Sequence, residues 1–259
     1  MPKTTSADGT KLEYDVVGSG PAVLLLHGGP MTRQINAGLA ALLADSFTVY
    51  TFDRRGRGGS AGTVHDAAER EFDDISALLD EAGGSGYVYG SSGAGIIALQ
   101  AAARGLPITR LAVWEPPYAV TPGVWRWPAD WGQQVAALVA ADRRGDAVAY
   151  WLTDVVGMPA DMVSGMRYAP FWAGMEAEAH GLIADYALIG DGRFDEGTLR
   201  TVQTPTLVMD GGSASAPTMA NAAAAVAATL PQASYQALEG QPHNVADDVM
   251  AAALARYFR

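Results

Sequence analysis

The sequence has no cysteine among its 259 residues, which excludes a disulfide framework and any thiolate site. It has no run of 18 apolar residues, the length that a membrane-spanning helix needs. Its first residues, MPKTTSADGT, are polar and lack the apolar centre of a secretory signal. These absences predict a soluble, cytoplasmic, globular protein.

Positive charge is also scarce. Lysine and arginine number 17 against 28 aspartates and glutamates, so the net charge is −11. Proteins that bind nucleic acid usually carry a basic surface, and an anionic membrane attracts basic segments. We therefore expect neither nucleic acid nor a membrane as a partner. Apolar residues make up 49% of the chain, which is enough to bury a full core.

Apolar runs alternate with segments of helical spacing along most of the chain. After a predicted N-terminal hairpin at 3–17, the patterns predict strands at 22–28, 47–53, 86–90, 109–114, 204–211 and 233–238. Helices are predicted at 36–44, 69–82, 93–103, 216–230 and 245–258. This alternation favours an α/β fold with a mostly parallel sheet, whose functional site lies beyond the carboxyl ends of the strands.

Two serines stand side by side where the strand pattern at 86–90 becomes a helix pattern, in GSSGAG. In a nucleophile elbow, G-x-S-x-G, the residues two before and two after the serine nearly touch and must be small. Around Ser92 these residues are Gly90 and Ala94, whereas around Ser91 one of them would be Tyr89. Ser92 is therefore the better candidate nucleophile, although a glycine-rich helix start that only packs closely or binds phosphate is the alternative.

The motif HGGP ends the first buried strand and exposes backbone N–H groups at the same edge of the sheet. An oxyanion hole needs two such donors fixed in advance. We assign them to Gly29 and Gly93. His27 lies within a tight turn at the end of the strand, and a structural role is favoured there over a catalytic one.

HGGP, DRRGRGGS and GSSGAG, followed by a C-terminal histidine in this order and spacing, resemble the α/β-hydrolase superfamily. The resemblance implies a mostly parallel eight-stranded sheet flanked by helices, with a helical lid insertion. It divides the chain into a core of residues 1–116 and 204–259 and a lid of residues 117–203. It also implies that DRRGRGGS is a structural turn organised by Asp53, which we favour over an anion site made by its arginines.

The resemblance places the catalytic base after the last strand, where His243 stands in EGQPHN. The triad acid departs from the commonest pattern, because position 214 is Ala214 where most relatives carry an aspartate. Glu115, after the preceding strand, and Asp210, at the end of the later strand, are the two substitutes. We favour Glu115, because it sits just past its strand and two prolines follow it. Asp210 is interpreted as a residue that caps the next loop.

The predicted lid contains five of the six tryptophans, and Met158, Met162 and Met166 recur at a spacing of four residues, as on one helix face. Such side chains adapt to apolar ligands, although each of them is individually more typical of core packing. As substrate-pocket residues we predict Trp125, Trp127, Trp131, Met158 and Met162. No second basic cluster appears there, which disfavours a highly anionic substrate.

These residues predict a serine esterase or lactonase for a small-to-medium apolar substrate, with no cofactor and no metal. HGGP is also similar to proline iminopeptidases, but Met31 and Gly93 depart from their pattern, so a peptidase is disfavoured. The alternative function belongs to another class. It is that of a protein with the same fold that does not hydrolyse its ligand, but acts as a ligand receptor or catalyses a cyclisation or rearrangement. The oligomeric state is left open.

Overall fold

The computed structural model describes residues 1–62, 69–120 and 127–259. The described residues form one sheet of eight strands in the order β1-β2-β4-β3-β5-β6-β7-β8. The strands are β1 (Lys3–Thr5), β2 (Lys11–Gly18), β3 (Ala22–Leu26), β4 (Thr48–Phe52), β5 (Gly86–Ser91), β6 (Ile108–Trp114), β7 (Thr206–Asp210) and β8 (Ala233–Ala237).

Only the N-terminal edge of the sheet is antiparallel. β1 pairs with β2 and β2 with β4 in antiparallel register, whereas the pairs from β4 through β8 are all parallel. The carboxyl ends of β3, β5, β6, β7 and β8 therefore meet at one edge. The predicted hairpin and the predicted α/β fold with an eight-stranded, mostly parallel sheet are confirmed.

Helices cover both faces of the sheet. They are α1 (Ala37–Leu43), α2 (Glu69–Glu81), α3 (Gly93–Ala103), α10 (Pro217–Thr229) and α11 (Asp247–Phe258). Successive β3 residues alternate between two hydrophobic clusters, with Leu24 and Leu26 in one and Val23 and Leu25 in the other. This alternation explains why β3 is a continuous apolar run, because both faces of the strand are buried.

Residues 117–203, which we call the helical segment, lie between β6 and β7 in the sequence. In its described part they form α4 (Trp131–Ala140), α5 (Arg144–Tyr150), a π-helical turn (Trp151–Val155), α6 (Ala160–Met166), α7 (Trp172–Ala177), α8 (Gly181–Ile189) and α9 (Glu196–Leu199). An isolated parallel bridge joins Ala119 to Arg193. Whether this segment acts as a lid stays a prediction.

No helix in the three described stretches is both long and apolar enough to cross a membrane.

Candidate active site

Ser92 occupies a sharp turn between β5 and α3, with a positive φ of 56°. Such a φ is strained for a residue other than glycine and is common at functional sites. The turn depends on Gly90, because a Cβ at that position would lie 2.5 Å from the carbonyl oxygen of Ala94. The neighbouring Tyr89 is instead buried in the hydrophobic cluster that contains Val23 and Leu25. The local geometry is thus that of a nucleophile elbow centred on Ser92.

The loop between β8 and α11 brings His243 to the same edge of the sheet. The Nδ1 atom of His243 lies 2.5 Å from Oε2 of Glu115, which directly follows β6. Glu115 is fully buried, whereas 44% of the His243 side chain is exposed. Because Nδ1 is engaged by the carboxylate, Nε2 is the nitrogen that remains to exchange a proton with a substrate or a nucleophile.

Glu115 is held by more than the imidazole. Its Oε1 accepts a hydrogen bond from the Ser215 hydroxyl, and Ser215 Oγ accepts from the Gly211 N–H at 2.7 Å. Burial alone raises the pKa of Glu115, but the hydrogen bonds from His243 and Ser215 outweigh it and bring the pKa below the ordinary value. Glu115 is therefore ionised at neutral pH and fixes the orientation of the imidazole.

The alternative acid, Asp210, is engaged elsewhere. Its Oδ2 accepts from the Tyr235 hydroxyl at 2.7 Å, and its Oδ1 accepts from the Gly212 N–H at 2.8 Å. The second contact caps the loop that follows β7, as the sequence indicated. The structure thus brings Glu115, and not Asp210, against His243.

Ser92 and His243 line one cavity of about 280 Å³. Among the described residues no hydrogen bond joins Ser92 Oγ to His243, so the structure brings the two together without linking them. Catalytic hydrogen bonds are often long in the absence of substrate and tighten when it binds. The exposure of His243 is compatible with such an approach.

The two predicted oxyanion donors differ in their surroundings. Gly93 is the first residue of α3, where backbone N–H groups have no partner within the helix. Gly29 has a φ of +66°, and its N–H donates to Oδ2 of Asp185 at 3.0 Å. A carboxylate of the helical segment therefore holds the donor that we assigned to the oxyanion hole.

The cavity walls are mostly apolar, and the helical segment supplies many of them: Pro117, Trp127, Trp151, Val155, Val156 and Ile189. Of the predicted pocket residues, Trp127 lines the cavity, and Trp125 lies outside the described residues.

The other three predicted pocket residues, Trp131, Met158 and Met162, do not line this cavity. Trp131 is fully buried and donates its Nε1–H to the carbonyl oxygen of Gly190. Met158 packs against the core before α6 begins. Met162 is 54% exposed, because α6 turns Val163 towards the core and the methionine towards solvent.

The three arginines of the loop after β4, Arg54, Arg55 and Arg57, are buried, and each forms an ion pair with at least one carboxylate. Asp53 accepts from the N–H groups of Arg33 and Gly59, which agrees with a structural turn. His27 is buried beside this loop and accepts a long hydrogen bond from the Arg54 N–H at 3.4 Å. Burial, together with the charges of Arg57 and Arg54, places the pKa of His27 well below the ordinary value, so the imidazole is neutral.

Sequence reasoning missed four residues of the site. Ser215 supports Glu115, Trp114 donates its Nε1–H to the His243 carbonyl oxygen at 2.8 Å, Trp151 packs over Gly29, and Asp185 binds Gly29. None carries a local motif, because each contact joins residues distant in sequence. The described residues contain no group of three or more histidine, aspartate or glutamate side chains that could hold a metal ion.

Comparisons with known proteins agree with the observed fold. An alpha/beta hydrolase from Sphaerobacter thermophilus DSM 20745 is 46% identical, with full coverage of both chains and a TM-score of 0.94. A thermophilic esterase from Thermogutta terrifontis shares the fold, at 23% identity, a TM-score of 0.74, and coverage of 99% of this chain and 97% of that one. An uncharacterized hydrolase, YraK, from Bacillus subtilis (strain 168) is 36% identical over 105 residues, which span 39% of each protein.

The model of the alpha/beta hydrolase family matches residues 23–257. The chain belongs to the alpha/beta hydrolase family.

Proposed function

We propose that this protein is a serine hydrolase that cleaves a carboxylic ester or a lactone of a small-to-medium apolar substrate through an acyl-enzyme. The observation that carries this proposal is the hydrogen bond between His243 and Glu115, because His243 lines the same cavity as Ser92, which lies on a strained elbow. Family membership supports the hydrolase class.

The reaction begins when Ser92 Oγ attacks the substrate carbonyl carbon and His243 Nε2 takes the hydroxyl proton. Glu115 stabilises the imidazolium that forms. The carbonyl oxygen becomes an oxyanion that the N–H groups of Gly93 and Gly29 bind. When the tetrahedral intermediate collapses, the ester C–O bond breaks and His243 gives the proton to the leaving alkoxide.

Water then repeats the cycle on the acyl-enzyme. His243 removes a proton from water, the hydroxide attacks the acyl carbon, and the bond to Ser92 Oγ breaks. The serine recovers its proton from His243, and the acid leaves. No redox step or external group is required by this sequence.

The cavity supports the proposed substrate class. Its volume of about 280 Å³ is near the lower limit of typical ligand pockets, which favours a small or medium acyl group. Its walls carry indole and aliphatic side chains, which favour an apolar one. Because Trp127 and Trp151 belong to the helical segment, we further propose that this segment is the lid that sets selectivity.

A panel of p-nitrophenyl esters from acetate to octanoate, together with simple lactones, tests the proposal. We expect turnover of at least one of them, and a loss of kcat of at least about 10⁴-fold in Ser92→Ala. Ser91→Ala is the matched control, because it removes the adjacent hydroxyl and is expected to keep most of the activity. Absence of turnover across the panel, or an active Ser92→Ala, would contradict the proposal.

One observation favours the second candidate, a fold member that binds a ligand or guides a rearrangement without hydrolysis. The Gly29 N–H is engaged by Asp185, and an oxyanion hole needs that donor free. A fluorophosphonate probe separates the two functions. Labelling that Ser92→Ala abolishes supports the hydrolase, whereas ligand binding without labelling or ester turnover supports the second candidate.

A further inference from the structure

Asp185 is a buried carboxylate of α8 that reaches the edge of the sheet where the carboxyl ends of the strands meet. It is 4% exposed, lines the same cavity as Ser92, and accepts the Gly29 N–H on Oδ2 at 3.0 Å. The contact joins residues 156 positions apart and links the helical segment directly to the HGGP turn.

Two arginines from the loop after β4 hold Asp185 in place. Its Oδ1 accepts from Arg54 Nη1 at 2.7 Å and from Arg57 Nη2 at 2.8 Å. The other edge of Arg54 binds both oxygens of Glu71, at 2.9 and 3.0 Å. Burial raises the pKa of Asp185, but the charges and hydrogen bonds of Arg57 and Arg54 outweigh it, so the pKa is lowered and the carboxylate is ionised at neutral pH.

This arrangement conflicts with oxyanion binding unless something moves. A backbone N–H has one hydrogen, and an ionised carboxylate is a stronger acceptor for it than a neutral ester carbonyl. A substrate carbonyl therefore meets a donor that is already engaged. The anionic intermediate would also develop its charge beside the Asp185 carboxylate, which like-charge repulsion opposes.

Resting on the proposed hydrolase function, we propose that Asp185 is a positioning residue that holds the oxyanion donor Gly29 in the resting enzyme and hands it over to the substrate oxygen. The exchange requires a small shift of α8, which also carries the cavity residue Ile189. Part of the substrate binding energy is used to displace Asp185 from the Gly29 N–H. We therefore expect kcat/KM to be lower than it would be with the same triad and a free Gly29 N–H.

The test variant is Asp185→Asn. It keeps one oxygen for Arg54 and Arg57 but places an NH₂ group, which cannot accept, opposite the Gly29 N–H. We expect kcat/KM for a p-nitrophenyl ester to rise about tenfold, the effect of one freed hydrogen bond of about 1.4 kcal/mol. Benzeneboronic acid, whose adduct with serine carries an oxygen in the oxyanion hole, should bind more tightly by a similar factor.

Glu71→Gln is the matched control. It also removes one buried negative charge from Arg54, but Glu71 does not contact Gly29. Both variants are expected to lower Tm, and only Asp185→Asn is expected to raise kcat/KM. A purely structural role for Asp185 predicts the fall in Tm in both variants and no rise in either, and that result would overturn the inference.

A crystal structure of the wild-type protein with benzeneboronic acid tests the same exchange without any variant. We expect a boronate oxygen on the Gly29 N–H, with Asp185 Oδ2 displaced from it. A boronate on Ser92 with the Gly29–Asp185 bond intact would refute the inference and leave the hydrolase standing. Failure of both the fluorophosphonate and the boronic acid to modify Ser92 would refute the proposed function and this inference together.

Discussion

Glu115 Oε2 lies 2.5 Å from His243 Nδ1, although the two residues are 128 positions apart in the chain. Glu115 follows β6, and His243 lies in the loop after β8, with β7 between the two strands in the sheet. Parallel order places both loops at the same edge. The φ of Glu115 is +42°, so this residue, like Ser92, is held in a conformation that side chains rarely adopt. Strained backbone conformations of this kind cluster at active sites and ligand-binding sites.

The identity of the triad acid is tested by the pair Glu115→Gln and Asp210→Asn. We expect Glu115→Gln to lower kcat by about 10³- to 10⁴-fold, because the imidazole loses the carboxylate that orients it and stabilises its charge. Asp210→Asn should keep kcat within about threefold, since its contacts are to Tyr235 and Gly212. A large loss in Asp210→Asn alone would reverse the assignment.

Ser215 is expected to support catalysis through Glu115. Ser215→Ala removes a hydrogen bond to a buried carboxylate, which is worth about 1.5–3 kcal/mol, so we expect kcat to fall about tenfold or more with KM little changed. Ser213→Ala is the control in the same loop, because Ser213 bonds only the exposed Glu239 in the described residues. Equal effects of the two substitutions on kcat would argue against this role.

The elbow predicts a steric intolerance at Gly90. In Gly90→Ala the new Cβ would lie 2.5 Å from the Ala94 carbonyl oxygen, a backbone atom that cannot easily move away. We expect a loss of stability of about 1–3 kcal/mol in urea unfolding and loss of ester turnover. Gly165→Ala in α6 meets nothing within 4 Å and should be neutral or stabilising by up to about 1 kcal/mol. An active and stable Gly90→Ala would contradict the elbow geometry.

His27 should make the fold sensitive to mild acid. Its pKa in the folded chain is well below the unfolded value of 6.5, so below pH 6.5 the unfolded chain binds a proton that the folded chain refuses. The contribution of His27 is therefore complete above pH 6.5 and decreases as the pH falls, by up to about 1.4 kcal/mol per pH unit. Between pH 7 and pH 5, the free energy of unfolding should fall less in His27→Gln than in the wild type. Identical pH dependence in the two proteins would rule this out.

The sequence was sufficient for the sheet, because its elements are encoded locally. The predicted helix at 93–103 matches α3 residue for residue, and the strands differ from prediction by at most two residues at either end. Buried strands are apolar runs and helices have their own spacing, so neither needs knowledge of distant residues. The elbow was also predictable, since a turn that tight admits only small residues at fixed positions.

The lining of the cavity was much less predictable. Aromatic and methionine side chains in the helical segment have the same composition whether they face a cavity, the core or solvent. Trp127 and Trp131 are four residues apart, yet one lines the cavity and the other is fully buried. Asp185 was missed because its role depends on contacts with Gly29, Arg54 and Arg57, which only the folded chain brings together.

The central claim is that Ser92 forms the covalent bond with the substrate. The most direct measurement is to mix the protein with a p-nitrophenyl ester, quench in acid at early times, and locate the acyl group by peptide mass spectrometry. We expect an acyl group on Ser92 of the wild type at early times, which is lost as the ester is consumed. Acylation of Ser91 or of another residue, or ester turnover in the wild type with Ser92 never modified, would contradict the claim.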